Sequence, residues 1–112
     1  AFQRALAATL ARRGADAVLT PTWPFAAPPI HAETVTVHGR PVPVDPHRNC
    51  FVRAANAARG CAVTLPVGLY PEAGVPAGLQ LLAPEGADDA LLSLAALVEA
   101  ALPRLPRPPA AT

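Results

Sequence analysis

Residues 61–82 have the sequence CAVTLPVGLYPEAGVPAGLQLL, in which an apolar run stands at each end and glycines and prolines interrupt the middle. Because apolar runs bounded by glycine and proline are typical of buried strands, this stretch predicts two neighbouring strands joined by a short connection. Pro66 is expected to end the first strand. The second run contains the polar Gln80, whose amide would need hydrogen-bond partners if that strand is buried.

Three segments resemble, in this order, the C-terminal end of the amidase-signature hydrolases. They are Leu65–Gly68, Gly74–Leu82 and Asp89–Ala95, and Glu99 follows the third at the family's spacing. The resemblance covers roughly residues 15–102. It implies an α/β fold, namely the C-terminal part of the amidase-signature fold, in which helices cover a mixed β-sheet that is incomplete on its own.

The same resemblance predicts how the chain is divided. Residues 1–102 would form the C-terminal segment of an amidase domain. Residues 103–112 are rich in proline and arginine, and such a composition is typical of an extended, flexible tail.

The residues before this stretch predict a helix, a short strand and a hairpin. Residues 1–13 are rich in alanine and carry apolar residues at helical spacing, with Gly14 as a left-handed stop. Ala17–Thr20 is expected to form a short buried strand that the following proline ends. Glu33–Val44 alternates apolar and polar residues, which predicts an exposed hairpin whose turn includes Gly39.

Two further helices are expected. Asn49–Gly60 predicts a short helix with Asn49 as its cap and Gly60 as its stop. The last helix is expected to have Asp88 as its cap and to cover the sheet with an apolar stripe. The stripe consists of Leu91, Ala95, Val98 and Leu102, broadened by Leu92 and Leu94.

Composition argues against several classes of partner. The 112-residue chain has 9 basic and 8 acidic side chains, so its net charge of +1 gives no electrostatic reason to bind nucleic acid or an anionic membrane. No apolar run reaches the roughly 18 residues of a spanning helix, and no secretion signal is recognisable. Cys50 and Cys61 are too few for a disulfide framework and are expected to be separate, buried or half-buried thiols of a cytoplasmic protein.

No metal, cofactor or catalytic residue is expected in this chain. His31, His38 and His47 are predicted to lie in exposed loops, and their spacing matches no compact metal-binding motif. Amidase-signature enzymes use a serine nucleophile, a second serine in a cis peptide bond and a lysine base. The chain has no Lys, and its one serine, Ser93, falls in the predicted last helix. The resemblance therefore assigns no catalytic residue here.

The resemblance implies the C-terminal part of a hydrolase that cleaves a carboxylic amide to an acid and ammonia or an amine. The triad would lie upstream, and this chain alone is predicted to be inactive. Its role would be to complete the sheet and to line the substrate cleft. Its partners would be the remaining N-terminal part, in the same or a separate chain, and a small-molecule amide. The identity of the amide and the formation of a homodimer are left open.

Three residues are predicted to bind substrate: Trp23, Asn49 and Phe51. Trp23 stands among prolines and either lines a pocket wall or closes the edge of the core. By the resemblance, Asn49 falls where glutamine-specific relatives carry an acidic residue that holds the amino group of the substrate. Because a side-chain amide carries no full negative charge, Asn49 argues against glutamine as the substrate.

Two other hypotheses stay open on the sequence. One is a stand-alone, non-catalytic binding or assembly module derived from an amidase. The other is the end of the catalytic subunit of a glutamine-dependent tRNA amidotransferase. The absence of Met leaves Ala1 as either a processed start or the edge of a fragment. The stand-alone module would require a start of its own.

Overall fold

The computed structural model of the protein describes residues 1–110, which form helices and two antiparallel sheets. The two remaining residues of the predicted tail lie outside this range. In chain order the elements are α1 (Phe2–Arg13), β1 (Val18–Pro21), β2 (Thr34–Val37), β3 (Arg40–Pro43), α2 (Val44–His47), α3 (Arg53–Ala57), β4 (Cys61–Leu69), β5 (Pro76–Ala83) and α4 (Asp88–Ala101).

The larger sheet has the strand order β1-β5-β4, so that β5 lies in the middle. Both apolar runs of residues 61–82 are strands of this sheet, as predicted. The expectation that Pro66 ends β4 is wrong, because the strand continues to Leu69. The register of pairing shifts directly after Pro66, between Pro66 and Gly68. A proline that cannot donate to the ladder is tolerated at such an irregularity of an outer strand.

One face of this sheet packs against α4. Its core consists of Leu65, Leu81, Ala83, Leu91 and Ala95, with Leu94, Val98 and Leu102 packed against it. The predicted stripe of α4 is therefore confirmed, except at Leu92. That side chain is 59% exposed, because one residue along an α-helix turns the side chain by about 100° away from Leu91. Asp88 is also not a cap: it is the first helical residue, and Ala87 precedes it without a side-chain hydrogen bond.

The opposite face packs against α1 and α3. Leu6, Leu10, Ala55 and Leu82 form its core, with Val18 against it. The helix over residues 1–13 is confirmed, and Gly14 ends it with a left-handed φ of 61°. This face is the one that positions the candidate site.

The predicted helix from Asn49 is shorter than expected and begins later. Its N-cap is Val52, without a side-chain hydrogen bond, so Asn49 is not the cap. The backbone oxygen of Asn49 instead accepts from the amide of Arg53 at 3.0 Å. The carbonyl of Phe51 accepts a hydrogen bond from the side chain of Gln80 on the sheet. Gln80, which is 29 residues away in the sequence, thus occupies the Phe51 carbonyl. In a helix starting at Asn49 that carbonyl would accept a backbone hydrogen bond of the helix itself.

Gly60 is not the left-handed stop of α3, as it was expected to be. Arg59 has that conformation, with φ of 56°, and the Gly60 amide donates to the oxygen of Ala55 at 3.1 Å. Gly60 instead lies in a tight place between α1 and β5. A Cβ at this position would lie 3.2 Å from Gln3 Nε2 and 3.3 Å from Leu82 Cδ1, so these two side chains would have to shift by a few tenths of an ångström.

Arg59→Gly is expected to raise the free energy of unfolding by about 1 kcal/mol, because an L-residue pays a steric cost at positive φ that glycine does not. The substitution also removes the ion pair between Arg59 and Glu85, whose 3.1 Å contact lies between side chains 83% and 53% exposed. Such exposed pairs contribute little. Arg59→Ala is the matched control, because it loses the same ion pair and keeps the left-handed backbone. Equal urea midpoints for the two variants would contradict the prediction.

The hairpin β2–β3 forms as predicted, and its turn is His38-Gly39, with φ of 49° and 75°. The two cysteines are free, but Cys50 is exposed, contrary to expectation, because it lies on the turn before α3 rather than in a helix. Cys61 is half-buried, and its thiol donates to the oxygen of Pro84 at 3.2 Å.

His31, His38 and His47 are exposed, although His47 ends α2 rather than lying in a loop. Within residues 1–110 no three His, Cys, Asp or Glu side chains are placed to hold a metal ion. No helix in the same range is long and apolar enough to cross a membrane. Residues 103–110 have no helix or strand.

Candidate functional site

A row of polar side chains crosses the face of the sheet that α1 and α3 cover. Gln80 on β5 pairs in register with Thr20 on β1 and with Thr64 on β4. Directly opposed residues of antiparallel strands point to the same face, so the three side chains are neighbours. One pair further along, Leu82 lies opposite Val18 and Ala62. The face therefore changes from apolar to polar between Leu82 and Gln80.

Thr22 extends this polar row beyond the end of β1. Its hydroxyl lies 3.2 Å from the Thr64 hydroxyl, and its amide donates to the oxygen of Gly78 at 3.0 Å. Gly78 has no side chain to separate them: a Cβ there would lie 2.9 Å from Thr22 Oγ1. We call Thr20, Thr22, Thr64 and Gln80 the polar row.

Gln80 is the buried member of the row, with only 3% of its surface exposed. Its Nε2 donates to the backbone oxygen of Phe51 at 3.0 Å and to Thr20 Oγ1 at 3.2 Å. Because a peptide oxygen can only accept, the Phe51 contact determines which end of the amide faces it. The partners that the sequence required for Gln80 are thus present.

Two of the predicted substrate-binding residues lie on the turn that follows α2. Phe51 is half-buried, and its backbone is bonded to the polar row through Gln80. Asn49 is exposed, and in residues 1–110 its side chain makes no hydrogen bond. The structure thus brings Phe51 to the polar row and places the free amide of Asn49 two residues away along the turn.

Trp23 lies just beyond β1, next to Thr22. Its ring is half-buried and meets Phe25 edge to face, with the centroids 5.7 Å apart at 81°. Phe25 is buried, so Trp23 is fixed against the core and presents its remaining surface outward. The segments of Trp23 and Phe51 are both hydrogen-bonded to β5, at Gly78 and Gln80 respectively.

Two surface grooves lie elsewhere. The larger, of about 690 Å³, is formed by Pro66, the end of α4 and residues 102–105, and the smaller, of about 390 Å³, lies beside the hairpin. Neither is lined by Trp23, Asn49 or Phe51. We place the candidate site at the polar row instead, because the buried Gln80 and its hydroxyl neighbours lie there. Trp23 and Phe51 belong to segments that are hydrogen-bonded to the same strand.

Neither a serine nor a lysine lies at the polar row. The hydroxyl of Ser93 bonds to the backbone of Asp89 on the exposed side of α4, and α4 lies on the other face of the sheet. The chain contains no Lys. Sequence reasoning missed Thr20, Thr22 and Thr64. These threonines belong to two segments that are far apart in the sequence. That they lie together can be recognised only when the register of β1 and of β4 against β5 is known.

The fold is of the α/β class, with helices on both faces of a three-stranded antiparallel sheet. A family model described as Amidase matches residues 1–92. The chain belongs to the amidase family. The predicted family and the predicted α/β fold, as a part of the amidase fold, are thereby confirmed.

The relatives include a glutamyl-tRNA(Gln) amidotransferase subunit of Salinispora arenicola, 35% identical over 98 residues, which covers 84% of this chain and 18% of that protein. The corresponding protein of Streptomyces avermitilis is 37% identical over 86 residues, covering 77% and 16%. A solved structure described as an amidase superposes with a TM-score of 0.75 at 28% identity, covering 90% of this chain and 23% of that one. The chain thus spans less than a fifth of the length of these curated relatives.

Proposed function

We propose that this chain forms the substrate-binding wall of an enzyme that hydrolyses a carboxylic amide to an acid and ammonia or an amine. The observation that carries the proposal is the polar row in a chain of the amidase family. Gln80 of the row binds the backbone of Phe51, and Thr22 of the row is next to Trp23 in the sequence. The wall supplies hydrogen-bonding groups and aromatic surface that orient the amide.

In the proposed reaction the chemical groups come from the rest of the enzyme. A serine, activated through a second serine by a lysine, attacks the amide carbon. The C–N bond breaks, the leaving nitrogen takes a proton, and water then hydrolyses the acyl-enzyme. Backbone amides stabilise the negative charge that develops on the carbonyl oxygen. The wall described here keeps the amide in place during both steps.

The test uses the full-length protein and a panel of amides: an aryl, a fatty, an indole-acyl and a small aliphatic amide, and glutamine. We expect release of ammonia together with the free acid from at least one amide other than glutamine. Added hydroxylamine should divert the acyl-enzyme to a hydroxamate. Residues 1–112 alone are the control and should release nothing. A full-length protein that cleaves no amide of the panel would refute the proposal.

The second candidate is glutamine-dependent amide transfer, because the curated relatives are named as subunits of glutamyl-tRNA(Gln) amidotransferase. Glutamine hydrolysis that exceeds the hydrolysis of every other amide would favour it. A native polypeptide of 11.5 kDa on an immunoblot, with no amide cleavage, would favour the stand-alone binding module.

Asn49→Asp is expected to raise kcat/KM about fivefold for amides that carry an ammonium group, relative to the matching amides without one. An exposed carboxylate at this position would attract that charge, and hydrogen bonds to charged groups are stronger than neutral ones. Asn56→Asp is the matched control, since Asn56 is also exposed but lies on α3. If the two variants change the preference equally, Asn49 does not contact the substrate.

A further inference from the structure

We propose that Gln80 is a positioning residue, whose amide fixes the turn of residues 48–52, which carries Asn49 and Phe51, against the central strand of the sheet. The role in substrate binding rests on the proposed function; the anchoring of the turn does not.

The turn has few ties of its own. Its hydrogen bonds are local, from the Cys50 amide to His47 and from the Val52 amide to Asn49, and Arg48 pairs with Asp45. Among residues 1–110, the bond from Gln80 to the Phe51 oxygen is the one hydrogen bond that joins residues 48–52 to the sheet. Segments with few buried contacts open readily, so this bond has a large share in keeping the turn closed.

Gln80 is suited to the task because it is itself held firmly. It lies on β5, which is paired on both sides, and only 3% of its surface is exposed. The second proton of its Nε2 goes to the hydroxyl of Thr20, which keeps the amide in one orientation. The turn is thus tied to the most buried strand of the sheet through a side chain with little freedom.

Removing the amide would leave the Phe51 oxygen without its donor. A half-buried carbonyl regains a partner most cheaply by turning toward water, which opens the turn. Small displacements of substrate-positioning groups have large effects on rate. The consequence of losing Gln80 should therefore appear first in the mobility of the turn and then in substrate binding.

Gln80→Met in the full-length protein is the test, because methionine has a similar volume and no donor. We expect hydrogen exchange of the amides of residues 50–53 to rise about tenfold while exchange in β4 and β5 stays as in the wild type. With an amide substrate, kcat/KM should fall about tenfold, chiefly through KM. The matched control for the exchange measurement is Thr20→Val, which removes the other partner of Gln80 and keeps the Phe51 bond; it should change the exchange of residues 50–53 less than about threefold.

Gln80→Glu adds a pH readout that a merely structural role would not produce. An ionised carboxylate repels the Phe51 oxygen, whereas a protonated one donates to it. Burial raises the pKa of a carboxyl group introduced here. Protection of residues 50–53 should therefore return as the pH falls through that raised pKa in this variant, and not in Gln80→Met.

Three results would overturn the proposal. Unchanged exchange at residues 50–53 in Gln80→Met would show that the bond does not hold the turn. If exchange in β5 rose as much as exchange at residues 50–53, and Thr20→Val had the same effect as Gln80→Met, Gln80 would be a packing residue only. If exchange at residues 50–53 rose while KM and kcat stayed as in the wild type, the turn would not contribute to substrate binding. A wild-type protein that cleaves no amide would refute the proposed function, whereas the exchange measurement would still decide the anchoring.

Discussion

Leu81→Ala is expected to lower the free energy of unfolding by about 3 kcal/mol, the largest stability effect in this part of the protein. Leu81 is 3% exposed on the central strand, and it packs in the core that joins the sheet to α4. Alanine would leave a cavity between two layers where the end of the leucine side chain had been. The surrounding strands cannot collapse into it, because β5 is paired on both sides. Urea unfolding with an unchanged m value measures the effect.

Leu19→Ala is the matched control for this prediction. Leu19 lies directly opposite Leu81 in the sheet and on the same face, but 59% of its surface is exposed. Leu19→Ala should therefore lower the free energy of unfolding by less than about 1 kcal/mol. If Leu19→Ala were as destabilising as Leu81→Ala in the full-length protein, burial in this structure would not be what decides the cost.

Gly78→Ala is expected to lower the free energy of unfolding by about 2 kcal/mol, because a methyl group does not fit in the polar row. The new Cβ would lie 2.9 Å from Thr22 Oγ1, 3.1 Å from Thr64 Cγ2 and 3.2 Å from Thr22 Cβ. Both threonines are β-branched and stiff at χ1, so they cannot swing away freely. The substitution would also push apart the two hydroxyls that lie 3.2 Å from each other. We therefore expect weaker substrate binding as well as lower stability.

Gly68→Ala is the control for this effect, since Gly68 lies in the same pair of strands and a Cβ added there would have nothing within 4 Å. Its stability should stay within about 0.5 kcal/mol of the wild type. Thr22→Ala removes the nearest clashing atom, so combining it with Gly78→Ala should recover part of the loss, a coupling that a double-mutant cycle measures. If Gly78→Ala and Gly68→Ala lowered the free energy of unfolding equally, the segments that carry Thr22 and Thr64 would be able to move away from Gly78 without loss of stability.

Much of the fold could be predicted because its signals are local. The helix over residues 1–13, the hairpin around Gly39 and the stripe on α4 follow from spacing within a dozen residues. The family also came from short segments in a set order. Asn49 and Phe51 were selected from such a segment and Trp23 from the prolines around it, and their contact with substrate stays a prediction.

The errors share a physical cause. Asn49 has the chemistry of a cap, but Gln80 binds the Phe51 carbonyl and α3 begins later. Arg59 has a left-handed backbone although Gly60 is next to it, and Gly60 lies where a Cβ would come within 3.3 Å of Gln3 on α1 and Leu82 on β5. In both places a tertiary contact outweighs a local preference of about 1 kcal/mol.

The sequence by itself determined the family, the α/β class, the main helices and strands, and the absence of Lys and of any serine besides Ser93. Only the tertiary structure decided that Thr20, Thr22, Thr64 and Gln80 form one row with the Phe51 turn attached to it. These contacts join residues 60, 42 and 29 positions apart. Their formation depends on the register of three strands, and a shift by one residue would turn every side chain to the other face.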